Sequence, residues 1–177
     1  MLDGVMRRTG CVWIGLGLLV VGLLTGAPTT GLADGGGGTE RAPARPEDPA
    51  YTAAVKAIKA GDFSTAVRLL ETVVAKDGKN ADAYNWLAYS IRRNGDAASA
   101  IPIYEKALAI DPQHRGAHEY IGEAYLILGD VAKAREHLAR LDRLCLFPCS
   151  EYSDLKKAVQ DYEASGGQVR PTSKRVP

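Results

Sequence analysis

Residues 84–112 read YNWLAYSIRRNGDAASAIPIYEKALAIDP, and this stretch holds the pattern that decides the fold. Apolar side chains follow the spacing of one helix face as far as Ile91, and again from Ala100 onward. Asn94-Gly95-Asp96 separates the two stripes, because glycine accepts the left-handed conformation that ends a helix and aspartate caps the next one. The stretch therefore predicts two helices joined by a tight turn.

The same arrangement recurs before and after this stretch at a constant interval. A glycine–aspartate pair stands at each turn, and an alanine follows at the same offset in every copy: Gly61-Asp62, Gly95-Asp96 and Gly129-Asp130, then Ala66, Ala100 and Ala134. A single helical hairpin cannot bury its apolar face alone, whereas stacked hairpins bury a shared core. The repetition therefore predicts a stack of hairpins.

The copies resemble the tetratricopeptide-repeat (TPR) family, whose motif is W-x2-L-G-x2-Y, then A-x3-F, then P, at a period of about 34 residues. The matching segments are Tyr84-x2-Leu87-Ala88-x2-Ile91 in copy two, His118-x2-Ile121-Gly122-x2-Tyr125 in copy three and the degenerate Ala50-x2-Ala53-Ala54-x2-Ala57 in copy one. The resemblance implies an all-α fold, a short right-handed solenoid of three helix-turn-helix repeats at 47–80, 81–114 and 115–147.

A C-terminal helix is expected to cap this TPR domain, which spans residues 47–165. Over 150–164, apolar side chains share one helix face and polar side chains the other, as the end of a solenoid requires. Ser150 is expected to cap this helix at its N-terminus. At the opposite end of the domain, Asp48-Pro49 predicts the start of the first helix.

Residues 1–33 have the layout of a signal peptide. Arg7 and Arg8 precede an uncharged apolar run that ends at Leu24, and a small-residue site ends at Ala33. The run is shorter than the roughly 20 residues that span a bilayer, so we expect cleavage and no stable membrane insertion afterwards. Export would place the protein in the periplasm, and two arginines leave the Sec and twin-arginine routes both open.

Two flanking segments are expected to lie outside the folded domain. Residues 34–46 contain four consecutive glycines and two prolines, which indicates a flexible linker. Residues 166–177 are polar and begin with two glycines, which indicates a disordered tail.

Composition argues against nucleic-acid binding and against catalysis. Twenty-two basic and 21 acidic side chains leave no strong net field that would attract nucleic acid. The chain has no phosphate-binding loop, zinc-protease helix or glycine-rich dinucleotide turn, and no serine or cysteine forms an obvious triad with a histidine. His118 takes a position that TPR proteins fill with a core-facing side chain, so packing is expected of it. We therefore expect neither an enzyme nor a cofactor.

Cys145 and Cys149 flank Leu146-Phe147-Pro148 between the last repeat and the capping helix. A disulfide is the first hypothesis, because the proline turn could bring the two Cα atoms within bonding range in an oxidising compartment. A metal site would need further ligands, and a redox motif more often has two intervening residues. A thiol- or copper-handling accessory protein therefore remains an alternative function.

The TPR resemblance implies that a protein or peptide partner in the cell envelope binds in a concave groove. In the family, ligand contacts come from non-signature positions of the first helix of each repeat. Here the predicted contact residues are Tyr51, Lys59, Asn85, Tyr89, Arg92, Arg93, Glu119 and Glu123, with apolar Val55, Ile58, Leu126 and Ile127 beside them. A subunit that completes a larger envelope complex through the end of its stack is a further alternative, and the oligomeric state is left open.

One TPR subfamily grips the C-terminal carboxylate of chaperones through lysine and asparagine at defined positions. At four of those positions this chain has Val55, Trp86, Gly116 and Tyr120. The chaperone-tail role is therefore not expected.

Overall fold

The computed structural model describes residues 48–147 and 149–168. The predicted signal peptide and linker, and the tail beyond residue 168, lie outside this part of the chain. Seven helices and no strands occur in the described residues: α1 Pro49–Lys59, α2 Phe63–Lys76, α3 Ala81–Arg93, α4 Ala97–Ile110, α5 Arg115–Ile127, α6 Val131–Leu144 and α7 Ser150–Ala164. The all-α fold class is confirmed. No helix among these residues is long and apolar enough to cross a membrane.

The glycine–aspartate turns work as their sequence predicts. Gly95 has a φ of 100°, and the side chain of Asp96 accepts a 2.9 Å hydrogen bond from the backbone N–H of Ser99 in the first turn of α4. The turns before α2 and α6 repeat this geometry, with positive φ at Gly61 and Gly129 and capping by Asp62 and Asp130. Each cap stabilises its helix start by about 1 kcal/mol.

The two ends of the helical region differ in how well they are capped. Asp48 accepts a 2.7 Å hydrogen bond from the backbone N–H of Ala50, with Pro49 in the first turn, as expected. The expectation for Ser150 is wrong, because α7 begins at Ser150 itself and Cys149 takes the N-cap position without a side-chain hydrogen bond. The chain enters α7 directly from the cysteine pair, which places the serine one residue too late to cap.

Consecutive helices pack against each other from α1 to α7. The first helices of the three hairpins, α1, α3 and α5, also contact one another in turn. The alanines that recur at one offset in the three copies, Ala66, Ala100 and Ala134, are completely buried. Their lack of bulk lets the helices approach closely, so that larger side chains such as Leu70 and Tyr104 fill the core between them.

The last helix, α7, packs on both α5 and α6 and closes the apolar end of the stack. Its Leu155 and Val159 join Leu141 in a separate core cluster. Leu155 is fully buried and lies directly over Gly122 of α5. A Cβ atom at position 122 would lie 2.6 Å from one δ-carbon of Leu155, so the glycine is what permits this contact.

Candidate partner-binding face

All eight predicted contact residues lie on α1, α3 or α5. Their accessibility differs sharply. Lys59 and Arg93 are exposed and Tyr51 is half-buried. The other five are buried: Asn85, Tyr89, Arg92, Glu119 and Glu123. Whether any of them contacts a partner remains a prediction, but only Lys59, Arg93 and, in part, Tyr51 offer side-chain surface in this structure.

A buried ion pair joins α3 to α5. Arg92 Nη2 lies 2.9 Å from Glu123 Oε2, and the side chains are only 5% and 6% exposed. Arg92 Nε also donates a 3.4 Å hydrogen bond to the hydroxyl of Tyr104 on α4. Burial raises the pKa of the Tyr104 hydroxyl well above its ordinary value, so this group stays protonated at neutral pH. The pair thus links three helices, and removing one partner would leave a buried charge uncompensated.

Aromatic rings surround this ion pair. The rings of Tyr89 and Tyr120 have centroids 5.0 Å apart, and Trp86 meets Tyr89 edge to face at 5.4 Å. The Arg92 guanidinium lies 5.3 Å from the Tyr89 ring centroid and 5.8 Å from that of Tyr120. Trp86 and Tyr120 were not among the predicted contact residues. The sequence could have indicated them, because these two aromatic residues occupy the same position in consecutive copies of the repeat.

Three exposed side chains occupy one repeat position at the C-terminal ends of α1, α3 and α5. They are Lys59, Arg93 and Ile127, and Ile127 is 44% exposed. We call them the rim row. Arg93 is held in place, because its Nη1 donates a 2.6 Å hydrogen bond to the Tyr89 hydroxyl and its guanidinium lies 4.6 Å from the Phe63 ring centroid. The rim row offers two cations followed by an apolar side chain.

Two histidines form a hydrogen-bonded pair between α5 and α6. Their Nδ1 atoms are 2.9 Å apart, and Nε2 of His118 lies 3.1 Å from the carbonyl oxygen of Pro112. If His118 donates to that carbonyl, its Nδ1 accepts from His137, which also stacks on the ring of Tyr125. Burial, followed by the neighbouring His118, lowers the pKa of His137 to about 4. Burial, the largest cause, also lowers the pKa of His118, so both shifts favour the neutral form of the rings, and His118 is packed as predicted.

The two cysteines are bonded to each other in the structure, with their Cα atoms 5.8 Å apart. The pair closes the connection between α6 and α7. Leu146 and Phe147, which lie inside it, are 94% and 83% exposed. A cleft of about 220 Å³ lies beside them, lined by these two residues with Cys145, Asp142 and Tyr152. Among the described residues, no group of three or more histidine, cysteine or acidic side chains could hold a metal ion.

Known sequences and structures provide an independent comparison. Two family models, each described as tetratricopeptide repeat, match residues 51–115 and 92–161. No curated protein sequence matches the chain.

Among solved structures, the first TPR domain of Spaghetti (RPAP3), bound to the HSP90 peptide SRMEEVD, is 19% identical with a TM-score of 0.58 over 65% of this chain and 90% of that one. The type III secretion translocator chaperone SycD of Yersinia enterocolitica is 16% identical with a TM-score of 0.60, over 67% of this chain and 84% of that one. SycD in complex with a peptide of the translocator YopD is 18% identical with a TM-score of 0.57, over 66% of this chain and 88% of that one. At these identities the likeness concerns the fold.

Proposed function

Because this chain belongs to the tetratricopeptide-repeat family, we propose that it is an exported, non-catalytic scaffold that binds a protein or peptide partner in the cell envelope. Two features of the sequence support export: the signal-peptide layout of residues 1–33 and a cysteine pair suited to an oxidising compartment. The observation that carries the binding proposal is the rim row. It repeats one exposed position across three stacked helices.

The rim row suggests the chemistry of the partner. Neighbouring packed helices are about 8–10 Å apart, and a peptide in the extended polyproline II conformation advances about 3.1 Å per residue with three residues per turn, which puts every third side chain on the same side. Every third residue of such a peptide would therefore meet the next side chain of the row. Lys59 and Arg93 suit two acidic residues with that spacing, and Ile127 suits an apolar residue three positions further on. We propose that the partner presents an extended segment with this acidic, acidic, apolar pattern.

The structural relatives support a short protein segment as the kind of ligand. The RPAP3 structure contains an HSP90 peptide, and one SycD structure contains a translocator peptide. The ligand of this chain should differ from a chaperone tail, because Val55, Trp86, Gly116 and Tyr120 replace the lysine and asparagine of the carboxylate-binding subfamily. We therefore expect the groove to bind a peptide segment, but one that differs in sequence from a chaperone tail.

A matched pair of double variants tests the proposal. Lys59→Gln with Arg93→Gln removes both rim cations, and Arg68→Gln with Lys106→Gln removes two exposed cations from the second helices α2 and α4. Both variants change the net charge equally, so non-specific electrostatic effects should be the same.

Partners are captured by cross-linking in the envelope fraction at two salt concentrations. The rim variant should lose a partner that the α2/α4 variant retains, and the residual capture should no longer depend on salt. Equal capture by both variants, with the same salt dependence as the parent, would refute binding at the rim row.

A further inference from the structure

We propose that Arg93 is the specificity-determining residue of the rim row, and that Tyr89 and Phe63 are positioning residues that hold its guanidinium ready for a carboxylate. The proposal rests on the function proposed above and deepens it. It gives the two rim cations different tasks, since Lys59 would supply charge alone. The ligand group that it specifies is an aspartate or glutamate side chain, bound through two parallel hydrogen bonds.

Two contacts hold the guanidinium of Arg93, although the side chain is exposed. Its Nη1 donates a 2.6 Å hydrogen bond to the hydroxyl of Tyr89, and its Cζ lies 4.6 Å from the centroid of the Phe63 ring. The hydrogen bond fixes one corner of the planar group, and the ring contact restricts its tilt. An arginine that is already held in the free protein loses less conformational entropy when a ligand binds. These contacts therefore prepare Arg93 for binding.

The positioning side chains are themselves held by their neighbours. Tyr89 is only 2% exposed, and its ring meets Phe63 edge to face with centroids 6.1 Å apart. The rings of Trp86 and Tyr120 also lie against it, with centroid distances of 5.4 and 5.0 Å. A buried ring packed against three others has little freedom to move. The hydroxyl of Tyr89 is therefore a fixed point to which Arg93 is attached.

The donors that remain on Arg93 define the ligand. A guanidinium carries five N–H donors in one plane. The bond to Tyr89 uses one donor of Nη1, and no other residue in the described part of the chain forms a hydrogen bond with this group. Nε and Nη2 thus keep two parallel N–H groups, the fork that matches both oxygens of a carboxylate. A primary amide offers a single oxygen and satisfies half of the fork.

A carboxylate also fits the composition of the rim row better than a phosphate does. Phosphorylated motifs are recognised by clusters of arginines, and the row contains one arginine. The acidic residue at this position is therefore aspartate or glutamate.

Lys59 differs from Arg93 in the way its charge is held. Lys59 is exposed, and within the described residues its ammonium forms no hydrogen bond or ion pair. An ammonium on a flexible stem acts as a point charge and does not match the two oxygens of a carboxylate. We expect Lys59 to raise the affinity for acidic segments in general, and Arg93 to select the residue at its own position.

The test uses the purified protein and a synthetic peptide with the pattern proposed above, acetyl-Glu-Ser-Ser-Glu-Ser-Ser-Leu-amide. Two further peptides carry glutamine in place of the first or the second glutamate. An NMR titration gives the dissociation constant of each peptide, and a shift of the Ile127 amide signal shows that the peptide lies on the rim row. The parent protein should prefer glutamate to glutamine about tenfold or more at the second position, and about threefold or less at the first.

Two substitutions remove the proposed selection without removing charge. Arg93→Lys loses the fork, and Tyr89→Phe loses only the hydroxyl that holds it. Each should reduce the preference at the second position to about threefold or less and leave the preference at the first unchanged.

Matched controls should behave like the parent protein. Arg68→Lys alters another exposed arginine that donates to a hydroxyl, that of Thr65 on α2. Tyr84→Phe removes a hydroxyl on α3 that forms no hydrogen bond within the described residues. Neither should change the preference at either position.

The preference is a ratio of dissociation constants, so partial unfolding, which weakens all three peptides alike, leaves it unchanged. A parent-like preference in Arg93→Lys or in Tyr89→Phe would overturn the inference and leave the rim row as a binding site. A peptide that does not bind, or that binds without shifting the Ile127 signal, would overturn the function proposed for the row and this inference with it.

Discussion

Replacing Gly122 with alanine tests the closest helix contact in the structure. The added Cβ would lie 2.6 and 2.8 Å from the two δ-carbons of Leu155 and 3.3 Å from its Cγ. Because Leu155 is fully buried, its side chain cannot turn into solvent, so either this side chain must repack within the core or α7 must shift. Overpacking of this kind lowers the free energy of unfolding by about 2–3 kcal/mol. Replacing glycine with alanine inside a helix raises it by about 1 kcal/mol, because alanine has the higher helix propensity. The net loss in free energy of unfolding should be about 1–2 kcal/mol.

The sign of the effect should reverse when Leu155 is shortened. Leu155→Ala alone should cost about 2–5 kcal/mol, because it leaves a cavity. In that background the Cβ of Gly122→Ala has room, so the substitution should stabilise the protein by about 1 kcal/mol. The resulting coupling energy of about 2–3 kcal/mol is what a double-mutant cycle measures for residues in direct contact.

Urea unfolding followed by circular dichroism gives the four free energies of the cycle. Gly116→Ala is the control on the same helix, because a Cβ there would lie 3.4 Å or more from its neighbours, which is ordinary contact. It should leave stability unchanged or slightly higher. If Gly122→Ala in the parent protein is as stable as Gly116→Ala, then α7 does not press on α5 and this account of the capped stack is refuted.

Three further outcomes follow from the structure. Arg92→Met should lower the free energy of unfolding by about 3–5 kcal/mol, because the buried carboxylate of Glu123 loses its ion-pair partner. Adding Glu123→Leu should restore most of this free energy in the same urea assay. The pKa of His137 in the fold, about 4, lies below its unfolded value of about 6.5. As the pH falls from about 6.5 to about 4, only the unfolded chain gains a proton at His137. The free energy of unfolding should therefore fall by about 1–2 kcal/mol over this pH range. His137→Phe should lessen that fall, and an unchanged pH profile would contradict the assignment. Alkylation without reductant should leave Cys145 and Cys149 unmodified, and two reactive thiols would exclude the disulfide.

The helices and their turns could be predicted because their signals are local. Gly95-Asp96 ends one helix and caps the next within a short stretch of sequence, and the apolar stripe before it fixes which face is buried. The constant interval between copies then supplies the stacking order, since one copy alone has no core. Fold class therefore follows from periodicity and capping.

The accessibility of the candidate site could not be predicted in the same way. Arg92 and Arg93 are neighbours in sequence and look equivalent, yet one is buried in a pair with Glu123 and the other is exposed. Their difference depends on a side chain that is distant in sequence and lies on another helix. His114 shows the same limitation. Its Nδ1 accepts a hydrogen bond from the backbone N–H of Ala117, which makes it the N-cap of α5. No such role is apparent from its sequence context.

The most direct test of the central claim is site-specific photo-cross-linking in living cells. A photoreactive amino acid at Ile127 places the probe on the rim row, and the same amino acid at Lys106 places it on α4, which is outside the proposed groove. We predict that Ile127 yields one dominant cross-linked envelope protein that Lys106 does not, and that Lys59→Gln with Arg93→Gln abolishes it. The same product from both positions, or a product at Ile127 that survives loss of both rim cations, would contradict the proposal that the rim row binds the partner.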